Sequence, residues 1–318
     1  MFELYKKRQL SDNLGDTFLF FKNYGKNFLK IFFIINGAFL LLFGIIIYFL
    51  IKINFELLKT SGFENNISKE DFLSYFNNNE GLVFVLVFIC FFLFLLLSLF
   101  NYSYPVLYLK MLSTGKKNFE LNTVLAEFTK HLFKLIKFTI GFVFIILPVL
   151  MILLIVLFLL CFIIIGIPLL MIGLPTCFTY LNLCFYSYLT DEKRFFESLR
   201  HSYYLIKIDF WNTVGTSFIM MLIMQFVQAA TTMFFYFVGI FILLASLMGT
   251  SDQNHVESID PSPLLIAFVT VIVLVFIVIS NILNNIIIIN QGMIYYSLEA
   301  GNKAESNTID LIGDHSNE

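Results

Sequence analysis

The chain has 318 residues, of which 59% are hydrophobic and 13% are charged, and its formal net charge is −2. Soluble domains average about 25% charged residues, so this composition excludes an ordinary water-soluble fold. The near-neutral charge also gives no support for nucleic-acid binding. Five runs lack Asp, Glu, Lys, Arg and His altogether: residues 31–51, 81–109, 138–190, 210–251 and 261–298. Since a helix needs about 20 apolar residues to cross a bilayer, the runs predict an all-α polytopic membrane protein.

The runs divide into six predicted transmembrane helices, at residues 29–52, 82–109, 138–160, 164–189, 212–248 and 263–290. Residues 138–190 are too long for one crossing, and the Gly166-Ile-Pro168 break predicts a tight hairpin turn near residues 161–168. Residues 210–251 form either one long bent crossing or two. The loop 252–260 has acids but no Lys or Arg, which favours the outer side of the membrane and therefore one crossing.

Basic residues are distributed unevenly between the predicted loops. All but three of the 20 Lys and Arg residues lie in residues 1–30, 110–137, 190–211 and the C-terminal tail. Because cytoplasmic loops carry an excess of Lys and Arg, both termini are predicted to be cytoplasmic, in a bacterial inner membrane. We expect one membrane domain over residues 1–318, in which residues 301–318 form a polar, disordered cytoplasmic tail.

An internal repeat divides the domain into three units. The string Glu127-Phe-Thr-Lys-His131 recurs 70 positions later as Glu197-Ser-Leu-Arg-His201, each time just before a predicted span. A Tyr-Ser pair also recurs where the even-numbered spans end, at Tyr102, Tyr186 and Tyr296. We therefore predict three repeats, at residues 10–110, 119–190 and 191–300, each made of a cytoplasmic amphipathic helix followed by a transmembrane hairpin.

Hydrophobic periodicity predicts an apolar face on the amphipathic helices of the second and third repeats. In the second repeat it consists of Leu121, Val124, Leu125, Phe128, Leu132, Leu135 and Ile136; in the third, of Phe196, Leu199, Tyr203, Ile206 and Phe210. Thr190 is the predicted N-cap of the third helix. Such helices are typical of connectors in the headgroup plane, and docking of a specific lipid or partner is the alternative.

The segment Phe178–Trp211, above all the string FESLRHSYYLIKIDFW that begins at Phe196, resembles a bacterial membrane-domain family. That family occurs alone and fused to some glycerophosphodiester phosphodiesterases, and its aromatic-rich ending is similar to Met293–Leu298. Phe196 stands where the family usually has a small residue. The resemblance implies a multi-span inner-membrane module, and since it covers only the membrane part, the phosphodiesterase activity is not carried over to this chain.

Candidate chemistry is sparse. Glu127/His131 and Glu197/His201 are carboxylate–imidazole pairs one helical turn apart, and together they have enough ligands for a metal site. The alternative, which we favour, is two solvated pairs without metal. The uncharged spans also exclude proton relays, ion-coupled carriers and voltage sensors. We therefore predict no enzyme, no catalytic residue, no cofactor and no bound metal.

The spans do contain a cluster of neutral polar residues: Gln225, Gln228, Thr231, Thr232, Asn281, Asn284, Asn285 and Gln291. Their helical spacing predicts that Asn281, Asn284 and Asn285 point into protein, either to bond neighbouring helices or to line a path for a polar solute. Two candidate functions result. The first is a non-catalytic membrane subunit or scaffold with lipid and protein partners; the second is a transporter or channel for a neutral or lipidic substrate.

Overall fold

The computed structural model describes residues 3–61, 80–115, 119–248 and 263–314. Within these ranges the regular structure is helical, which confirms the predicted all-α class. The helices are α1 Leu10–Ser61, α2 Glu80–Ser113, α3 Leu121–Gly141, α4 Leu147–Cys161, α5 Gly166–Thr190, α6 Phe195–Ile208, α7 Phe210–Met248 and α8 Pro263–Asp314. The predicted outer loop 252–260 and its neighbours lie outside the described residues.

Among the residues that the structure describes, six stretches are long and apolar enough to cross a membrane, so the chain is a multi-pass integral membrane protein. They are Leu10–Lys52, Val87–Ser113, Leu121–Cys161, Gly166–Thr190, Phe210–Phe241 and Ile266–Asn302. The stretch for which one or two crossings were possible forms a single helix, α7, of 39 residues. Its sequence has no Pro and no charge to interrupt the helix.

The predicted hairpin is confirmed: α4 ends at Cys161 and α5 begins at Gly166. The turn reverses at Ile164, whose φ of 68° lies in the left-handed region. Gly166 packs so closely that a Cβ atom there would lie 2.3 Å from the Cys161 nitrogen and 2.7 Å from the Leu157 oxygen. Because both are backbone atoms, only glycine fits this position.

Two compact units divide the chain. The first consists of Met1–Phe32, Asn101–Gln225 and Asn284–Glu318, and the second of Phe33–Phe100 and Phe226–Leu283. Their boundaries do not coincide with those of the three predicted repeats. Both histidines of the repeated string belong to the first unit.

Aromatic rings form much of the core of the first unit. The Phe28 ring lies 4.6 Å from Tyr104, and the Tyr104 hydroxyl donates to the Phe28 oxygen at 2.7 Å. Tyr186 stacks on Tyr295 at 5.5 Å and donates to the Ile288 oxygen at 2.8 Å. Of the three Tyr-Ser pairs, Tyr186, Tyr296 and all three serines are therefore buried in the protein, whereas Tyr102 is half-buried.

The predicted surface helices differ from the observed ones. A π-helix, Phe142–Ile146, joins α3 to α4. In the second predicted repeat, the helix therefore continues from the amphipathic segment into the span. Likewise α1 runs unbroken from Leu10 to Ser61. In the third repeat the chain does break, at Asp209, between α6 and α7. Helix α8 continues to Asp314 through the predicted tail, where Ala, Glu and Lys favour helix.

The buried faces of α3 and α6 also differ from the predicted apolar faces. Helix α3 buries Val124, His131, Leu135 and Phe138, and α6 buries Ser198, Ser202, Leu205 and Ile206. Phe196 and Tyr203 of the predicted apolar face are 68% and 65% exposed. Serines lie on the buried face because small side chains allow close helix approach, and the Ser198 Oγ lies 3.4 Å from the Cys184 Sγ on α5. The N-cap of α6 is Arg194, not Thr190.

Candidate functional site

Two acidic residues, Asp191 and Glu192, come after the last residue of α5 and contact different groups of side chains in the first compact unit. Asp191 accepts a hydrogen bond from the Tyr295 hydroxyl at 2.6 Å and pairs with the Lys193 Nζ at 2.9 Å. Glu192 lies 3.6 Å from the Lys110 Nζ. We call the residues around Glu192 the lysine group and those around Asp191 the carboxylate group.

The lysine group is centred on Lys110, in the last turn of α2. Its ammonium lies 3.0 Å from the Nε2 atom of His131 and donates to the Leu189 oxygen at 2.9 Å. The Nδ1 atom of His131 lies 2.8 Å from the backbone carbonyl oxygen of Glu127. A carbonyl can only accept and an ammonium can only donate, so this geometry assigns the proton to Nδ1 and leaves Nε2 as the acceptor.

His131 is only 2% exposed, so the prediction of a solvated Glu127/His131 pair is wrong for the histidine. The Lys110 ammonium from α2 lies 3.0 Å from the ring, and periodicity within α3 could not reveal that contact. Lys110 and then Lys134 hold the pKa of the exposed Glu192 carboxyl below its usual range. The group therefore combines two lysines with a carboxylate that stays ionised at neutral pH.

The carboxylate group brings together Asp191, His201 and Glu299, from the end of α5, from α6 and from α8. Their candidate ligand atoms all lie within 4.8 Å of one another. The His201 Nε2 is hydrogen-bonded to the Glu299 Oε1, and Glu299 is 8% exposed. The partner of His201 is thus a residue 98 positions away.

Glu197, the predicted partner of His201, has another role. Its Oε2 accepts a hydrogen bond from the Arg194 nitrogen at 3.1 Å, where it stabilises the first turn of α6. The two predicted pairs also do not converge, since His131 and His201 bond to different residues. The four-ligand arrangement considered from the sequence is therefore not formed.

Sequence reasoning missed Lys110, Asp191, Glu299 and Tyr295. A signal for them does exist, because each of the three Tyr-Ser motifs is followed within eight residues by a charged side chain. Asp191 directly follows α5, and Glu299 directly follows the buried segment 288–298 within α8. Charged residues next to buried tyrosines at the ends of spans are therefore the signal to look for.

The residues of the predicted polar cluster differ in burial. Asn285 and Gln291 are buried, Gln228, Thr231 and Asn281 are half-buried, and Gln225, Thr232 and Asn284 are exposed. The Gln291 Nε2 donates to the Ser217 Oγ at 2.9 Å, and Thr179 donates to the same oxygen at 2.7 Å. Helices α5, α7 and α8 are thereby bonded together. Asn284 is exposed on the surface of this chain.

Three further members of the cluster bond to a neighbouring helix or along their own helix. The Gln228 Nε2 donates to the Ser280 Oγ at 3.0 Å. Thr231 and Thr232 each donate to a backbone oxygen one turn earlier in α7. Asn285 differs, because neither its Nδ2 nor its Oδ1 has a hydrogen-bond partner among protein atoms, although the residue is 1% exposed.

The charged groups of the first unit connect helices and present a carboxylate–imidazole set, while Gln228 and Gln291 bond neighbouring helices. Comparison of the chain with protein-family models, curated proteins and solved structures finds no match.

Proposed function

We propose that this multi-pass membrane protein is a non-catalytic subunit or scaffold of a larger assembly in a bacterial inner membrane. The proposal agrees with the implication of the family resemblance, a stand-alone inner-membrane module. Both termini would lie in the cytoplasm, where the lysine and carboxylate groups would also face.

One observation carries this proposal: the exposed amides of Gln225 and Asn284, within the stretches of α7 and α8 that are long and apolar enough to cross a membrane. An amide without a hydrogen-bond partner in an apolar medium costs about 1–3 kcal/mol. Hydrocarbon offers it no partner, whereas a polar side chain on a helix of another protein does. We therefore infer that a partner protein covers these two side chains.

The hairpin of α4 and α5 provides a second surface for such a partner. Within α4, all of whose residues the structure describes, no residue is buried. Its apolar side chains also line a shallow groove of about 360 Å³ with Leu170 of α5. Lipid tails can fill this groove, so the hairpin permits a partner helix without requiring one.

The test is co-purification in a mild detergent, combined with a photo-crosslinking residue at position 284. We expect a stoichiometric protein partner and a crosslink to it, whereas the same probe at Phe94, 62% exposed on the apolar α2, should label mainly lipid. Asn284→Leu should weaken the association by about 1 kcal/mol without unfolding the chain. A chain that purifies alone in native nanodiscs, with lipid crosslinks at both positions, would overturn the proposal.

Orientation is tested separately with reporter fusions. Fusions after Lys117, Arg200 and Lys303 should report a cytoplasmic position, and fusions after Ser68 and Asn254 an external one, because basic residues concentrate on the first set of loops. A cytoplasmic signal at Asn254 would contradict the proposed topology.

A transporter or channel for a neutral or lipidic substrate is the second candidate, and Asn285 favours it. A buried amide with no protein partner is free to bond a polar solute or a lipid headgroup. Asn285→Leu should then leave the chain folded and abolish uptake or the density of a bound lipid. If the same variant is more stable and loses nothing that was bound, the amide has no transport role.

A further inference from the structure

The carboxylate group has the composition and spacing of a metal site. We propose that Asp191, His201 and Glu299 bind one divalent first-row metal ion, such as Zn²⁺ or Mn²⁺. This inference revises the sequence prediction of no metal, and it goes beyond the scaffold function, since it concerns one chain with or without partners.

Distances support the proposal. Zinc binds imidazole nitrogen and carboxylate oxygen at about 2.0–2.2 Å, so ligand atoms around one ion lie about 3–4 Å apart. The three candidate ligand atoms already lie within 4.8 Å of one another. Side-chain rotations that move the three ligand atoms by less than about 1 Å would bring them into a coordination sphere around one ion. One imidazole with two carboxylates is also a ligand set that zinc, iron and manganese accept.

The charges of the group favour a cation. Glu299 is 8% exposed, and burial of a carboxylate beside a second carboxylate is unfavourable unless positive charge compensates both. Lys193 contributes one positive charge, at 2.9 Å from Asp191. The Tyr295 hydroxyl, at 2.6 Å, orients the Asp191 carboxylate from the other side. Metal ligands are commonly held in this way by a hydrogen-bonded neighbour.

The other copy of the repeated string shows where such a cation would lie. At His131 the Lys110 ammonium lies 3.0 Å from Nε2 and 3.6 Å from the Glu192 carboxylate, between an imidazole and an acid. At His201 the corresponding ring nitrogen faces Glu299 and Asp191. We infer that the first copy uses a built-in ammonium and that the second uses a metal ion.

An ion bound here would connect the end of α5 to α6 and α8. All three ligands belong to the first compact unit, and Glu299 comes shortly after the tightly packed Tyr295–Tyr296 segment. Because Asp191 and His201 are only partly covered, a water molecule can complete the coordination. The ion would thus hold the end of α5, α6 and α8 together on the side that we propose to be cytoplasmic.

The test uses the full-length protein, purified without a histidine tag and treated with a chelator. Manganese is the first probe because, unlike zinc, it binds the four free cysteines poorly. We expect one ion per chain by elemental analysis, and a higher Tm with manganese than with chelator. His131→Gln is the matched control and should bind manganese as tightly as the wild type does. His201→Gln and Glu299→Gln should bind manganese at least about 10-fold more weakly.

If either of these variants fails to fold, Asp191→Asn, at the exposed edge of the group, is measured in its place. It should also bind manganese more weakly than the wild type. Absence of saturable binding of either manganese or zinc to the wild type would overturn the proposal. Equal binding by the wild type and His201→Gln would do the same, because the ion would then lie elsewhere. Neither result depends on whether a protein partner is found.

Discussion

The two copies of the Glu-x-x-basic-His string have nearly the same local sequence but different roles. In α3, His131 is buried under Lys110, and Glu127 lies in the second helical turn, 3.4 Å from that ring. In α6, Glu197 stabilises the start of its own helix, and His201 contacts Glu299 from α8. The difference begins with where each helix starts, since the same glutamate is a capping residue only in the first turn.

The chain after each string also differs between the copies. Helix α3 passes through a π-helix into its span, whereas α6 ends at Ile208 and Asp209 separates it from α7. A duplicated string therefore conserves helical periodicity without conserving partners. Substitutions at matched positions in the two copies can test this conclusion.

The largest expected effect is in the lysine group. Lys110→Met leaves the Leu189 oxygen and the His131 Nε2 without their donor, and buried polar groups without partners cost about 1–3 kcal/mol each. We expect the free energy of unfolding to fall by about 2–3 kcal/mol. Lys193→Met is the comparison in the carboxylate group. It breaks the partly exposed pair with Asp191 and should lower the free energy of unfolding of the metal-free protein by less than about 1 kcal/mol.

Both variants are measured by thermal or denaturant unfolding in the same detergent. Equal losses would show that the two groups are energetically alike, and the structural contrast between the copies would then have no thermodynamic counterpart.

The second prediction concerns the contact between the two copies. A Cβ atom at Gly141, the last residue of α3, would lie 2.7 Å from the ring of Phe195, the first residue of α6. Gly141→Val should therefore displace the ring and destabilise the protein by about 1–2 kcal/mol.

Gly37→Val is the control, since a Cβ atom there has no neighbour within 4 Å. The double variant Gly141→Val with Phe195→Ala should lose less stability than the sum of the single variants, because the ring is absent. Strict additivity would mean that the two copies do not touch at this point.

The third prediction separates the glutamates. Glu197→Ala removes the acceptor of the Arg194 nitrogen in the first turn of α6 and should cost about 1 kcal/mol. Glu127 does not lie in the first turn of its helix, so Glu127→Ala should lower the free energy of unfolding by less than about 0.5 kcal/mol. Unfolding free energies at neutral pH give both numbers. A larger loss for Glu127 would show that its contact with His131 outweighs helix capping.

Particular residues show how far the sequence predicts this structure. The runs without charge identify the spans, and the break at Gly166 identifies the hairpin, because both depend on local chemistry. The burial of His131 and the exposure of Asn284 could not be predicted, since each depends on which helix packs beside it. The carboxylate group joins residues up to 108 positions apart, and a single sequence gives no measure of such proximity.

The smallest expected effect is a pH dependence in the lysine group. Lys110, followed by Lys134, lowers the pKa of Glu192 in the folded protein below the ordinary value of 4.5. The folded state therefore binds this proton less tightly than the unfolded state, so the contribution of Glu192 to stability is complete above about pH 5 and disappears as the pH falls through the folded pKa.

We expect the free energy of unfolding of the wild type to exceed that of Glu192→Gln by less than about 1 kcal/mol at neutral pH, because this carboxylate is largely exposed to solvent. The difference should shrink below about pH 4 and vanish once the carboxylate of the wild type is protonated. Unfolding curves of the two proteins across this range measure it, and Lys110→Met serves as the control background, in which the difference should shrink at every pH. A gap that widens on acidification would contradict the assignment, since protonation would then strengthen the contact that ionisation is proposed to make.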